Sequence, residues 1–166
     1  MAILPLGLAS QYPDQYDPSL LFPIPRSENR LKLDIKPNQA LPFVGVDIWN
    51  AYELSWLNVK GKPQLAIATF FVPANSSNII ESKSWKLYLN SLNNHCFQSN
   101  EELIQTLKND LSKAAGASVS VQLNAPEQQC TKGMKEMTGK LLDRLDLEID
   151  PKQLPDAALL SSDTSL

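Results

Sequence analysis

Residues 52–73 read YELSWLNVKGKPQLAIATFFVP, and this stretch decides the fold class. Tyr52, Leu54 and Trp56 alternate with Glu53, Ser55 and Leu57, the period-two pattern of a half-buried strand, and the run stops at Asn58. Lys60-Gly61-Lys62-Pro63 then reads as a turn. Leu65 to Val72 is β-branched and aromatic and ends at Pro73, which suits the returning arm of an antiparallel hairpin.

Downstream the period changes. Trp85, Tyr88, Leu89 and Leu92 recur at i, i+3, i+4 and i+7, one face of a helix whose first turn is Glu81-Ser82-Lys83-Ser84. A second helix begins at Ser99, where Ser99 and Glu102 form a capping box. It buries Leu103, Ile104, Leu107 and Leu111 and stops at Gly116. Val119, Val121 and Leu123 alternate with polar neighbours, as do Leu145, Leu147 and Ile149, which predicts two more strands. The polar stretch 125–139 between them, with Pro126, Gly133 and Gly139, reads as a long hairpin loop. The order is ββααββ, an α+β module with two helices on one face of a four-stranded antiparallel sheet.

Upstream, seven of the twelve prolines precede residue 43, which forbids long helices and central strands there. Residues 1–50 therefore read as an extended arm, and Leu20, Leu21, Phe22 and Ile24 give it an apolar side with which to dock on a protein surface. Residues 51–150 form the module, and 151–166 a loose tail without periodicity. A chain of 166 residues with 43% hydrophobic and 20% charged residues fits one ordinary globular domain.

Charge excludes some functions. A net charge of -3 and a pI near 5.1 leave no basic footprint for nucleic acid. The apolar runs fall short of the ~20 residues of a membrane span and the first ten residues lack a basic leader, so a cytoplasmic location is expected. Cys96 and Cys130 are far apart and read as reduced thiols. With a single histidine in the chain and no local ligand set, no metal site is expected.

The segment Glu81 to Lys86 is the strongest candidate for chemistry. A helix start presents free N–H groups and the positive end of the helix dipole, which favour an anion, and here two hydroxyls and a lysine accompany them. Glu81 adds an acceptor for the N–H edge of a purine-like ring. Spacing alone favours the plainer reading, a capped helix with a solvated lysine. His95-Cys96 invites a nucleophile reading, but catalytic Cys and His usually meet through the fold, so a structural role is expected. The carboxylates Asp143, Asp146, Glu148 and Asp150 fit a solvated strand face. No GxGxxG or GxxxxGK[ST] fingerprint is present, so any dinucleotide would bind outside a Rossmann or P-loop frame.

The run Ile80-Glu81-Ser82-Lys83-Ser84-Trp85-Lys86-Leu87-Tyr88-Leu89-Asn90-Ser91 closely resembles the signature of the NADPH-dependent 7-cyano-7-deazaguanine reductases of queuosine biosynthesis, a tRNA modification. Pro25-Arg26-Ser27, Leu41-Pro42-Phe43, Asp47-Ile48-Trp49 and residues 52–58 resemble the long, two-module form of that enzyme, and the likeness runs from about Gln15 to Asp150. The resemblance implies a tunnelling-fold module, whose ββααββ order agrees with the periodicities. It implies an oxidoreductase in which a cysteine thiolate adds to a nitrile and NADPH delivers hydride twice, giving an aminomethyl group. Carried over by motif, Ile80, Glu81 and Ser82 would contact the deazaguanine, and Ser82 and Lys83 the NADPH. The family's catalytic cysteine, acidic proton donor and His-Glu pair belong to its second module and are absent from these residues. The reading is thus an amino-terminal module without a catalytic residue of its own and inactive alone, partnered by a second module or by further copies. The alternative is a non-catalytic tunnelling-fold module that binds a nucleotide or a partner.

Overall fold

The computed structural model describes residues 13–37 and 39–126, together with residues 139, 146 and 156. The chain divides into two compact units, Met1–Gly133 and Met134–Leu166, and all the elements below belong to the first. The expected strand at 145–149, most of the loop 125–139 and the tail lie outside the described residues.

A 3-10 turn at Pro18–Leu20 opens the described chain, with the Asp17 carboxylate accepting from the Ser19 N–H at 2.8 Å. Strand β1 is Pro23–Pro25 and helix α1 is Arg26–Leu31. There follow β2 (Val46–Asn58), β3 (Pro63–Pro73), β4 (Asn78–Ile80), α2 (Ser82–Ser91), β5 (Cys96–Phe97), α3 (Asn100–Ala115) and β6 (Ser120–Asn124). The main sheet has the order β5-β2-β3-β6, while β1 and β4 form a separate two-stranded pair. The architecture is α+β, as the periodicities indicate.

The hairpin is longer than its alternating stretch. β2 pairs antiparallel with β3 from Val46↔Pro73 to Leu57↔Pro63, so it begins well before Tyr52. A bulge between Ala51 and Leu54 inserts one extra residue and exchanges the two faces of the strand. Before it Trp49 and Ala51 pack against the core; after it Leu54 and Trp56 are buried. Tyr52, expected inward with Leu54 and Trp56, is therefore 64% exposed. β6 joins β3 in antiparallel register with Val121 opposite Phe70. Among the described residues the fourth position is filled by Cys96–Phe97, running parallel beside Leu57 and Asn58.

The two helices cover one face of this sheet. Leu103, Leu107 and Leu111 of α3 and Tyr88 and Leu92 along α2 are completely buried against Leu54, Ala68 and Phe70. Ser99 accepts from the Glu102 N–H at 3.3 Å, but Glu102 reaches back to the Gln98 N–H at 2.6 Å, one residue beyond the box expected from the sequence. Gly116 closes α3 at φ 68°, where a Cβ would meet Ser77 at 3.1 Å.

The arm docks, as its apolar residues suggest. Leu21 is buried in the core, and β1 pairs with β4 through Ile24↔Ile79. Arg26 forms an ion pair with Asp47 and donates to Ser76, while Arg30 donates to the Ala74 carbonyl at 2.6 Å. At the other end the Tyr16 hydroxyl donates to Asp110 Oδ2 at 2.6 Å, and the Tyr88 hydroxyl donates to the same oxygen at 2.7 Å.

Burial, then the hydrogen bond and charge of Asp110, raise both phenols above the ordinary tyrosine value of 10.0. A raised folded-state pKa contributes stability that is complete below about pH 10 and is lost as the pH climbs toward the folded values. Tyr88→Phe keeps the ring and removes the proton. It should flatten the fall of the urea-unfolding free energy between about pH 9 and pH 11 relative to the parent chain; an unchanged slope would separate that fall from Tyr88.

Candidate functional site

The site is built on the first turn of α2. Glu81 precedes the helix with extended backbone angles, and its carboxylate folds onto its own helix start. Oε1 accepts from the Lys83 N–H at 2.9 Å and Oε2 from the Ser84 N–H at 2.7 Å. The Ser82 hydroxyl donates more weakly to Oε1, at 3.4 Å. Glu81 is 6% exposed, and the N–H groups and the helix dipole compensate for desolvating its charge. The helix start predicted to attract an anion thus already holds one, the protein's own carboxylate. An external phosphate here would have to be met by side chains.

The main chain of Glu81 is fixed as well. Its N–H donates to the Phe22 carbonyl at 2.9 Å, and its carbonyl accepts from the Ser84 hydroxyl at 2.7 Å and from the Trp85 N–H at 3.0 Å. Ser84 Oγ in turn accepts from the Phe22 N–H at 3.0 Å, which closes a ring of hydrogen bonds between the arm and the motif.

A groove of about 260 Å³ runs along the neighbouring face of α2, between the helix and β2. Trp49, Leu54, Phe70, Trp85 and Leu89 give it apolar walls, and Ser82, Lys86, Asn90 and Asn93 supply polar groups from the helix side. Trp85 packs at 4.9 Å from Trp49 and edge-on at 5.3 Å from Phe70, measured between ring centroids. Its indole Nε1–H is buried without a hydrogen-bond partner among the described residues, a costly arrangement for a donor.

Of the four residues singled out by the motif, Glu81, Ser82 and Lys83 come together around the helix start. Ser82 is exposed and lines the groove; Lys83 is half-buried and lies outside its lining. Ile80 is 2% exposed, and its side chain belongs to the hydrophobic core. Lys86 and Asn90 also line the groove, at i+4 and i+8 from Ser82. Periodicity carried that signal, but the apolar stripe beside it drew the reading toward packing. His95 packs between Tyr16 and Phe97, tilted to the first and edge-on to the second with centroids at 5.0 and 4.8 Å, and the exposed Cys96 lies on β5, which favours the structural reading of this pair.

Comparison with known proteins gives this geometry a family. Residues 12–123 match the family model described as nitrile reductase, 7-cyano-7-deazaguanine-reductase N-term. The chain belongs to this family. It is 55% identical over 159 residues to the NADPH-dependent 7-cyano-7-deazaguanine reductase of Cupriavidus metallidurans, a match covering 96% of this chain and 57% of that protein. The reductase of the same name from Burkholderia ambifaria is 58% identical over 158 residues, with 95% and 57% covered. That from Ralstonia nicotianae is 54% identical over 159 residues, with 96% and 57% covered. The chain thus spans 57% of the length of these curated relatives. Among the described residues no helix is long and apolar enough to cross a membrane.

The carboxylate cap has a measurable value. Glu81→Ala strips the acceptor from two N–H groups at a buried helix start and should lower the unfolding free energy by about 1–2 kcal/mol in urea titrations. A change below about 0.5 kcal/mol would mean that the cap contributes little.

Proposed function

We propose that this chain is the amino-terminal module of an NADPH-dependent reductase that converts the nitrile of 7-cyano-7-deazaguanine to an aminomethyl group in queuosine biosynthesis. The observation that carries the reading is identity of 54–58% to reductases of that name, joined to a buried, hydrogen-bonded carboxylate at the helix start whose sequence resembles the family's signature. In this reading Glu81 and Ser82 bind the deazaguanine. Glu81 is a fixed acceptor with lone pairs beyond those engaged by the helix, suited to the N–H edge of the heterocycle. Ile80, whose side chain is in the core, would contact the deazaguanine through its main chain.

The donor set fits a dinucleotide. Ser82 and Lys86 at the groove, with Lys83 on the same turn, supply a hydroxyl and two cations for phosphate beside aromatic walls for a flat ring. NADPH, when bound, supplies hydride. Ser82 and the lysines hold its charge and orient it, while the walls of the groove exclude water.

In this reading the thiol that would add to the nitrile belongs to another module; Cys96 lies on β5 outside the groove lining, and Cys130 lies outside the described residues. β2 offers a place for such a module. β5 covers it only at Leu57 and Asn58, so among the described residues the edge from Val46 to Trp56 opposite β3 pairs with no other strand. A second module or a further copy of this one pairs with that edge.

Two measurements test the reading. Purified residues 1–166 should bind NADPH in a fluorescence titration, and Lys83→Ala should weaken that binding about tenfold with little change in thermal midpoint. Given NADPH and 7-cyano-7-deazaguanine, the same chain should oxidise no NADPH. Turnover would place the nucleophile within these residues, and unchanged affinity in Lys83→Ala would remove that lysine from the site.

A further inference from the structure

Helix α2 is held on a face that the groove does not use. Ser84, Tyr88 and Ser91 are spaced by four and three residues, so they form one stripe, and each is at most 1% exposed. Every member of this stripe meets the arm or its anchor. Ser84 Oγ accepts from the Phe22 N–H at 3.0 Å and Ser91 Oγ from the Asp17 N–H at 3.2 Å, while Tyr88 shares Asp110 Oδ2 with Tyr16. At 100° per residue this stripe lies on the far side of the helix from Ser82, Lys86 and Asn90, which line the groove. Trp85 and Leu92, between the two, face the core.

We propose that the arm from Tyr16 to Pro25 is a positioning strap for the ligand site: anchored at Asp110 by Tyr16, it fixes Glu81 and the first turn of α2 through Phe22 and Ser84. The ligand part of this proposal rests on the function proposed above, whereas the strap itself does not.

Three features support the role. The contacts at the motif end are made by the main chain of Phe22, which any residue except proline could provide, so the specific attachment must come from elsewhere along the arm. Leu21, buried in the core beside Phe22, supplies apolar anchorage, and Tyr16 supplies the polar anchor, with a 2.6 Å bond to a carboxylate and ring contacts to His95 and Tyr88. Prolines at 18, 23 and 25 restrict the undocked arm and so reduce the entropy lost on docking. Finally, Glu81 cannot shift without breaking the ring that links Phe22 to Ser84, so displacement of the arm is felt directly at the carboxylate. Tyr16, Asp110 and Ser84 are thus positioning residues, acting on ligand through Glu81 and through the first turn of α2, which carries Ser82 and Lys83.

Amide hydrogen exchange on residues 1–166 decides the matter. Tyr16→Phe retains the ring and leaves Asp110 its bond from Tyr88, so the fold should persist. It should nevertheless speed exchange of the Lys83 and Ser84 amides about tenfold while Phe70 in the central strand β3 keeps its parent rate. Ser84→Ala should do the same, and Ser84→Thr, which keeps a hydroxyl, should restore protection. Leu103→Val, a core change in α3 away from the arm, is the control for general destabilisation and should leave the Lys83 to Phe70 ratio unchanged. If Tyr16→Phe leaves Lys83 and Ser84 protected, or speeds Phe70 equally, the strap is refuted. In parallel, Tyr16→Phe should raise the NADPH Kd about tenfold. Failure of the parent chain to bind NADPH would overturn the proposed function while the exchange data still judge the strap. Parent binding with unchanged affinity in Tyr16→Phe, despite faster Lys83 exchange, would overturn the strap's link to ligand.

Discussion

The carboxylate of Glu81, turned back onto the N–H groups of Lys83 and Ser84, is the constraint on which the rest of the site depends. It starts α2 at a defined residue and occupies the anion position that a helix N-terminus would otherwise offer to a phosphate. It also requires an extended backbone at Glu81, which lets the preceding strand β4 pair with β1. Removing a charge from water is costly, and here two main-chain donors, the helix dipole and a flanking hydroxyl offset that cost together. A residue engaged in so many directions has little freedom, and that is the condition for recognising a ligand by one fixed acceptor.

Much of the fold is legible in the sequence because its strongest signals are local. The Leu103, Leu107 and Leu111 stripe, the Ser99 cap and the Gly116 stop locate α3 almost to the residue, and Leu65 to Val72 locates β3. Misreadings arise where one local event overrides a period. The bulge at Ala51 and Leu54 exchanges inside and outside, so an apparently regular alternation assigns Tyr52 to the wrong face and hides the inward role of Trp49. Cys96–Phe97 is too short for any period, and it becomes a strand only because Leu57 lies alongside.

The candidate site was legible in a different way. The residue types from Glu81 to Ser84 announce a helix start with anion chemistry, but nothing in their spacing tells which anion the start binds; that depends on the Glu81 rotamer and on the arm. The groove is similarly hidden. It takes Trp49 and Leu54 from β2, Phe70 from β3 and Ser82, Lys86 and Asn90 from α2, residues that are neighbours only after the sheet and helix have packed.

Helix α2 therefore answers to three partners at once. One stripe, with Trp85 and Leu92, packs into the core; a second, with Ser84, Tyr88 and Ser91, receives the arm; the third, with Ser82, Lys86 and Asn90, lines the groove. Ten residues leave little surface for anything else. This explains why the helix has a polar composition yet two buried faces: its serines act as acceptors for arm N–H groups that would otherwise be desolvated without partners. Substituting an apolar residue at Ser84 or Ser91 would improve nominal hydrophobicity and strand an N–H of the arm. A helix that must be held from behind in order to present a site in front has to keep its polar groups buried, and ordinary amphipathic patterning does not reveal them.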